Sequence, residues 1–583
     1  MRDYLVIESQ AQADPAIRRD AEARLLESGA WTKVAERRWF SVFVEAAKPP
    51  AYRHLPGVAG GLIGEIFDSQ AAREGLGRPL DLMGFGAEPD ALASSLVDRG
   101  FGRYVAIFND DRGPARVLRD PLGAMNALGW RRGALRFIGS RLPDMRALWP
   151  IDLALDPDAV AQILRQKNLA SLTCPLVGVH AYPPGVLADA SGRGPALWSP
   201  AAFVRRASSK ADPADLRQVV DGVVAAWAQG RAGILCEMSG GLDSAIVATS
   251  LAKVAAPVCY GLNHAYPEKE GDERGFAQDL ADQVGVPLVV VEREQLELTP
   301  DKLVAGAGGM RLNYAGGDPD HDLDLAERLA APDIDMLFTG SGGDGVLYQP
   351  AHPSLVRDVL KGVAGSPLAA LDVLARRQST TVWSILRRGL APQDLTVGGG
   401  VQRFLSDAVA ARPAALHPWL AQAKAVGPAK QLQILMIVNG LGAFGDTRHH
   451  QVADVVDPLM SQPVVEYCLA VPAGVLAIGT LNRPFARRAF ADRLPSSILA
   501  RGSKGDVTRF FLQNLAASLD ALRPFLLEGR LAQMGLLDLK RVDEALSADQ
   551  MIWSNFASQV FILLSMEAWT RHWPLQASNA QSA

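Results

Sequence analysis

One short segment constrains this chain more than any other: Ser239-Gly240-Gly241-Leu242-Asp243-Ser244, set between an apolar run (Gly233-Ile234-Leu235-Cys236) and an alanine-rich helical stretch beginning at Ser244. An apolar run, a glycine loop and a helix in that order read as one strand–loop–helix unit of a parallel sheet. Two glycines let the backbone approach an anion closely, and successive N–H groups form a concave nest. The helix N-terminus adds partial positive charge, and Ser239 and Ser244 add hydroxyl donors. Asp243 would repel a phosphate unless a divalent cation lay between them, so the segment predicts Mg²⁺ beside a phosphate. It is not a Walker A loop, because the Gly-Lys-Ser/Thr ending is missing. Two glycines and a serine alone would be an ordinary helix-start turn. All six residues at a strand's carboxyl end, where ligands of open α/β sheets bind, carry more weight.

The neighbouring pattern repeats the unit. A second apolar run, Pro257-Val258-Cys259-Tyr260-Gly261-Leu262, precedes a helix over roughly 272–284, with Phe276, Leu280 and Val284 on one face. Further runs follow at Leu288-Val289-Val290-Val291 and Asp335-Met336-Leu337-Phe338, and beyond 345 the pattern is mostly helical. The first 200 residues differ. Short aromatic and β-branched runs (Trp39 to Val44, Gly102 to Phe108, Ala134 to Ile138, Gly185 to Ala188) stand between Gly and Pro turns, with a helix near 15–28. They predict an α+β domain dominated by antiparallel sheet, followed by an α/β domain with a helical extension, divided at 1–205 and 206–583.

Composition excludes several classes. With 59 basic against 63 acidic side chains, a net charge of −4 gives no electrostatic case for nucleic acid. Arg2 and Asp3 open a segment without an apolar signal core, and no uncharged apolar run reaches 18 residues. A cytoplasmic protein with no membrane partner is the expectation. Four cysteines, Cys174, Cys236, Cys259 and Cys468, form no CxxC pair, which argues against a disulfide scaffold and a cysteine zinc site.

The 239–244 segment resembles the pyrophosphate loop of ATP pyrophosphatases that adenylate carboxylates, and the chain resembles the asparagine synthetase superfamily over most of its length. That family has a second loop, Ser-Gly-Glu-Gly-x-Asp-Glu; here Thr339-Gly340-Ser341-Gly342-Gly343-Asp344-Gly345 follows the run ending at Phe338. The match implies ATP and Mg²⁺ as cofactors and Asp344 as the second metal carboxylate beside Asp243. It implies nucleotide contacts from Ser239, Gly240, Gly241, Leu242, Asp243, Ser244, Leu262 and Gly340. Arg501-Gly502-Ser503-Lys504-Gly505-Asp506 resembles the family's lysine loop, so Lys504 is expected to meet the α-phosphate and, with Asp243 and Asp344, to serve catalysis. Three N-terminal segments, Arg119-Asp120-Pro121-Leu122-Gly123, Ala181-Tyr182-Pro183-Pro184-Gly185 and Gly64-Glu65-Ile66-Phe67, resemble the glutaminase-type (Ntn) β-sandwich.

The departures from the family pattern are as informative. A glutaminase of this kind attacks with a cysteine that follows the initiator Met; here that residue is Arg2, and no cysteine precedes Cys174. Ile63 stands where the family has its oxyanion-hole Asn, so the domain is expected to be an inactive relic. In the second loop the Glu is Ser341 and the residue after Asp344 is Gly345, so neither the ammonia-using nor the β-lactam-forming arrangement is present. Asp457-Pro458-Leu459-Met460-Ser461-Gln462-Pro463-Val464-Val465-Glu466 resembles a segment of the lasso peptide macrolactam synthetases. That resemblance implies adenylation of an Asp or Glu side chain in a lasso precursor core peptide and attack by the peptide's own N-terminal amine. It also implies a leader peptidase and a leader-binding protein as companions. Asp446, His449 and His450 lie just upstream and read as structural polar contacts rather than proton acceptors. The alternatives are a β-lactam synthetase-like or ammonia-dependent amide ligase, and a nucleotide-binding peptide chaperone.

Overall fold

The structure, a computed structural model, describes residues 2–575 apart from 10–13, 58–59, 110–112, 207–210, 268–270, 296, 313, 315–317, 396–399, 444, 446, 503–504, 506, 548 and 551–555. Among the described residues the N-terminal part holds eleven strands: β1 (Tyr4–Ser9), β2 (Trp31–Glu36), β3 (Phe40–Glu45), β4 (Tyr52–His54), β5 (Gly61–Asp68), β6 (Gly100–Phe108), β7 (Arg116–Arg119), β8 (Leu128–Arg132), β9 (Leu135–Gly139), β10 (Val179–Ala181) and β11 (Leu187–Ala188). They form two antiparallel sheets, in the orders β10-β8-β9-β1-β3-β2 and β11-β7-β6-β5-β4. Tyr4, Val6, Val42 and Val44 of the first sheet pack against Ile63, Val105, Ile107 and Val117 of the second. The outer faces are covered as well. Leu5, Ile7, Trp130 and Phe137 meet helices α1 (Pro15–Glu27) and α4 (Pro157–Arg165), while Leu62, Ile66 and Tyr104 meet α3 (Pro89–Arg99), which follows the short α2 (Ser69–Arg73). A strand buried on both faces reads as a continuous apolar run rather than an alternation.

After α5 (Pro200–Val204), helix α6 (Pro213–Ala228) leads into a five-stranded sheet: β12 (Ile234–Glu237), β13 (Val258–Ala265), β14 (Leu288–Glu292), β15 (Met336–Phe338) and β16 (Asp454–Val456). Every pairing is parallel and the order is β14-β13-β12-β15-β16. Helices α7 (Leu242–Lys253) and α8 (Arg274–Val284) cover one face with α6. Helix α10 (Pro319–Leu329), which follows α9 (Pro300–Gly306), covers the other, with Leu325 and Leu329 on Leu235 and Leu337. The chain leaves β12 toward β13 on one side and reaches β15 on the other, so the order reverses between β12 and β15. Ligands of open α/β sheets bind at such a switch point.

Three details differ from the sequence expectation. The run at 288–291 is an edge strand, half-buried, with Val290 38% exposed. In the run at 185–188 Leu187 and Ala188 alone join the sheet through β7, while Gly185 turns the chain at φ +66° and Val186 makes a single bridge to Ala196. Strand β16 emerges from a stretch read as helical, since three residues are too few to show a period.

The two parts share their cores. Helix α6 sets Val220, Val223 and Trp227 under the outer face of β5 and β6, while Leu564 and Trp569 of the C-terminal helix Ala557–Thr570 pack with Leu5, Ile7 and Trp130. Charge joins them too. Asp454, at the start of β16, meets Arg2 at 3.1 Å, Arg103 at 3.1 Å and Arg231 at 3.8 Å, with its side chain 4% exposed. Removing one partner from a buried ion cluster leaves charge uncompensated, which costs about 3–5 kcal/mol. Asp454→Ala is therefore expected to lose about that much stability in chemical unfolding, and Arg2→Ala, whose side chain is a third exposed, distinctly less. A loss below about 1 kcal/mol for Asp454→Ala would mean the cluster does not hold the two parts together.

Candidate active site

Strand β12 ends at Glu237, and Asn263 of β13 holds the exit by donating from Nδ2 to the Met238 carbonyl at 2.7 Å. Gly240 then turns the chain at φ +74°, and α7 starts at Leu242. Within the loop, Ser239 Oγ and Ser244 Oγ lie 3.1 Å apart, and the Gly241 N–H donates to Ser239 Oγ at 3.4 Å. At the end of β15 the Ser341 N–H donates to Thr339 Oγ1 at 3.0 Å, and helix α11 (Gly343–Val346) begins with Asp344 in its first turn. The two loops touch. A Cβ at Gly340 would lie 2.5 Å from the Ser244 nitrogen, and one at Gly343 would lie 2.4 Å from the Asp243 carboxyl carbon. Glycine at both positions is thus a condition for bringing the loops together.

The contact brings two carboxylates to one point. Arg483 Nη1 donates to Asp344 Oδ1 at 2.8 Å and to Asp243 Oδ2. The two carboxylates thus lie close enough to share one cationic atom, here the Arg483 nitrogen, and an oxygen donor pair is of the kind Mg²⁺ takes. Arg483 is 3% exposed and precedes helix Pro484–Ala489 in left-handed backbone at φ +51°. Such strain in a non-glycine residue is found where surroundings dictate the conformation.

These loops line a cleft of about 440 Å³. Of the residues expected to contact nucleotide, Ser239, Gly241, Leu242, Asp243, Ser244, Leu262 and Gly340 line it, as does Asp344. Gly240 serves from behind, its carbonyl accepting from Arg501 Nη1 at 2.9 Å. Arg501 pairs with Glu273, whose carboxylate also accepts the Gly505 N–H at 2.7 Å, so the segment around 501–505 is tied to the 239–244 loop. Lys504 itself lies outside the described residues, as does Asp446; Gly505 and Val507 line the cleft.

Charged and titratable residues outside the motifs also line the cleft, among them Arg483, Glu237, His264 and His321. Glu237 Oε1 lies 3.5 Å from His321 Nε2, and His264 Nε2 lies 2.9 Å from Asp324 Oδ2. Burial works to raise the Glu237 pKa, but the hydrogen bond and charge of His321, helped by His264, hold it below the usual carboxylate range. Burial and the neighbouring His321 hold His264 below its ordinary value. A polar residue ending an apolar strand was the available signal for Glu237. For His264 it was spacing, since Leu262 and His264 lie two apart on one face of β13.

His449 and His450 do not line this cleft. His449 Nδ1 lies 2.6 Å from Asp322 Oδ1, and His450 reaches a second cavity at the junction with the N-terminal sheets. The 457–466 segment lies at that junction too: Trp227 Nε1 donates to Ser461 Oγ at 3.1 Å, Gln462 Nε2 to the Val97 carbonyl at 2.8 Å, and Trp198 Nε1 to Glu466 Oε1 at 2.9 Å. In the N-terminal part, the Arg119 guanidinium donates to the carbonyls of Gly123, Met125 and Tyr182. That contact joins two of the segments singled out in the sequence. Ile63 is fully buried among apolar side chains between the sheets.

A parallel sheet with a glycine loop at its switch point and paired carboxylates beside it fits a domain of the adenine-nucleotide alpha-hydrolase kind. The asparagine synthase family model matches residues 215–571, more than half of the chain, and the chain belongs to that family. No curated protein matches it. The family joins amide bonds at the expense of ATP, ordinarily with Mg²⁺, and the chain is an ATP-dependent amide ligase. Among the described residues no helix is long and apolar enough to cross a membrane.

Asp457, just beyond β16, is pushed up to about 6, chiefly by burial and with a contribution from the Glu237 charge, while the Thr339 hydroxyl bond opposes the rise. A raised carboxyl favours the folded state while protonated and loses that advantage as pH climbs through about 6. Asp457→Asn is therefore expected to gain stability over the parent by about 2–3 kcal/mol between about pH 4 and pH 8. Denaturant unfolding at both pH values reads it; an unchanged difference would contradict the shift.

Proposed function

We propose that this ligase closes a macrolactam in a lasso precursor peptide. An Asp or Glu side-chain oxygen of the core peptide attacks the α-phosphorus of ATP, the bond to the β-phosphate bridging oxygen breaks, and pyrophosphate leaves. The peptide's N-terminal amine then attacks the acyl carbon of the adenylate, AMP leaves, and the amine gives up its proton. The observation that carries the reading is the convergence of Asp243, Asp344 and both glycine loops on one cleft; the resemblance of the N-terminal part to a glutaminase without its cysteine and oxyanion-hole asparagine supports it. Ile63 is sealed in an apolar core where an oxyanion donor would be needed, and Arg2 is ion-paired to Asp454 where a thiol would be needed. The amine must then come from another source, and a peptide α-amine with pKa of about 8 is roughly a tenth free base at neutral pH. A dedicated strong base is correspondingly less necessary, which suits Ser341 in place of the family Glu.

Within this reading residues 1–205 form a degenerate glutaminase-like domain and residues 206–583 the synthetase domain. Asp243 and Asp344 would hold Mg²⁺, which when bound neutralises phosphate charge during departure of pyrophosphate. The 239–244 loop cradles the phosphates through its N–H groups and the two serine hydroxyls. Leu262 and Gly340 border the nucleotide, and Lys504 neutralises charge on the α-phosphate. Holding carboxylate and amine of one peptide in one cleft supplies proximity in place of a second substrate. The precursor peptide, a leader peptidase and a leader-binding protein are the partners this reading implies, in the cytoplasm.

The test is incubation with Mg·ATP and leader-free candidate precursors, with product mass and AMP both measured. The expected product is lighter by one water, with AMP formed in equal amount. AMP formation with ammonium as the amine donor and no cyclic peptide would favour an ammonia-dependent ligase instead. Asp243→Ala and Asp344→Ala are each expected to lower AMP formation by at least about 100-fold, in line with losing a group that stabilises transition-state charge.

A further inference from the structure

The Glu237, His264 and His321 cluster has no part in the reaction just described. Its three residues come from three elements: the last position of β12, the carboxyl end of β13 and the first turn of α10. One carboxylate oxygen and one ring nitrogen from each histidine all lie within 4.8 Å of one another, and the two imidazole centroids are 4.4 Å apart. All three side chains line the cleft that the phosphate loop lines.

The surroundings hold these donors in place. Asp324 Oδ2 lies 2.9 Å from His264 Nε2 and is itself paired with Arg328 Nε at 2.9 Å. Asp318 caps α10 by accepting the His321 backbone N–H at 3.1 Å, which fixes the start of the helix rather than the ring, and its carboxylate is anchored by Arg293 at 2.6 Å. Carboxylates beside a ligating histidine orient the ring and raise its basicity, and such partners matter nearly as much as the ligands.

We infer that Glu237, His264 and His321 bind one divalent transition-metal ion of the zinc class, separate from the cation of Asp243 and Asp344. Two imidazoles and one carboxylate are a donor set for zinc, cobalt or ferrous iron, whereas Mg²⁺ takes oxygen ligands almost exclusively. Three protein ligands leave a fourth position open, the pattern of zinc sites that act on a substrate rather than brace a fold. Here the open position faces the nucleotide cleft, where a carboxylate oxygen or an amine nitrogen of a bound substrate would meet it. The cleft would then hold two cations sorted by donor chemistry: a hard ion on the paired aspartates and a borderline ion on the histidines.

The experiment uses the full-length, chelator-treated protein without ATP or peptide, so its outcome is independent of which amide the ligase makes. Titration with Co²⁺ is expected to give one equivalent with visible ligand-field absorption, bleached by Zn²⁺. His264→Ala and His321→Ala should each weaken Co²⁺ binding by at least about tenfold, while Asp243→Asn leaves it unchanged. Glu237→Gln, nearly isosteric, is expected to weaken it as well and keeps the test decisive if an alanine variant fails to fold. No binding below millimolar Co²⁺, or equal binding in the folded histidine and Glu237 variants, would overturn the inference and leave the cluster a hydrogen-bonded acid–base network.

Discussion

Everything in the cleft depends on two loops being allowed to touch. Gly340 lies against the Ser244 backbone and Gly343 against the Asp243 carboxylate, at distances no side chain could occupy. That contact places Asp243 and Asp344 on one cationic atom of Arg483, and it does so at the carboxyl ends of β12 and β15, where the strand order reverses. Sheet topology and loop composition therefore solve one problem together. The fold supplies a crevice, and glycine makes it narrow enough for two acidic side chains to share a cation.

The N-terminal sandwich contributes support more visibly than chemistry. Its outer sheet faces are buried by α6 on one side and by the C-terminal helix on the other, and Asp454 draws in arginines from both parts of the chain. The 457–466 segment belongs to the same junction, with Ser461, Gln462 and Glu466 each bonded to a residue on the side of the sandwich or of α6. The sandwich completes the core of the fold, because removing it would expose apolar faces of the helices that cover the parallel sheet.

Much of this was legible in the residues. The 239–244 loop and the apolar runs at 233–236 and 257–262 announced a strand–loop–helix site, because glycine, serine and aspartate at a strand end have few other uses. What stayed hidden had physical reasons. Arg483 reaches the aspartates from more than a hundred residues away, held by a strained backbone that leaves no periodic trace. Strand β16 has three residues, and β1 and β5 are buried on both faces, so neither length nor alternation marks them. Glu237, His264 and His321 come together only because β12, β13 and α10 are neighbours in space.

The central claim is that a peptide carboxylate is adenylated in this cleft before any amine attacks. ATP–pyrophosphate exchange with a core peptide whose α-amine has been acetylated isolates that step. The account predicts exchange that requires both peptide and Mg²⁺, continues without ring closure and disappears when the activated acidic residue is replaced by its amide. No exchange with a peptide that is cyclised once its amine is free, or release of ADP and phosphate in place of AMP and pyrophosphate, would contradict it.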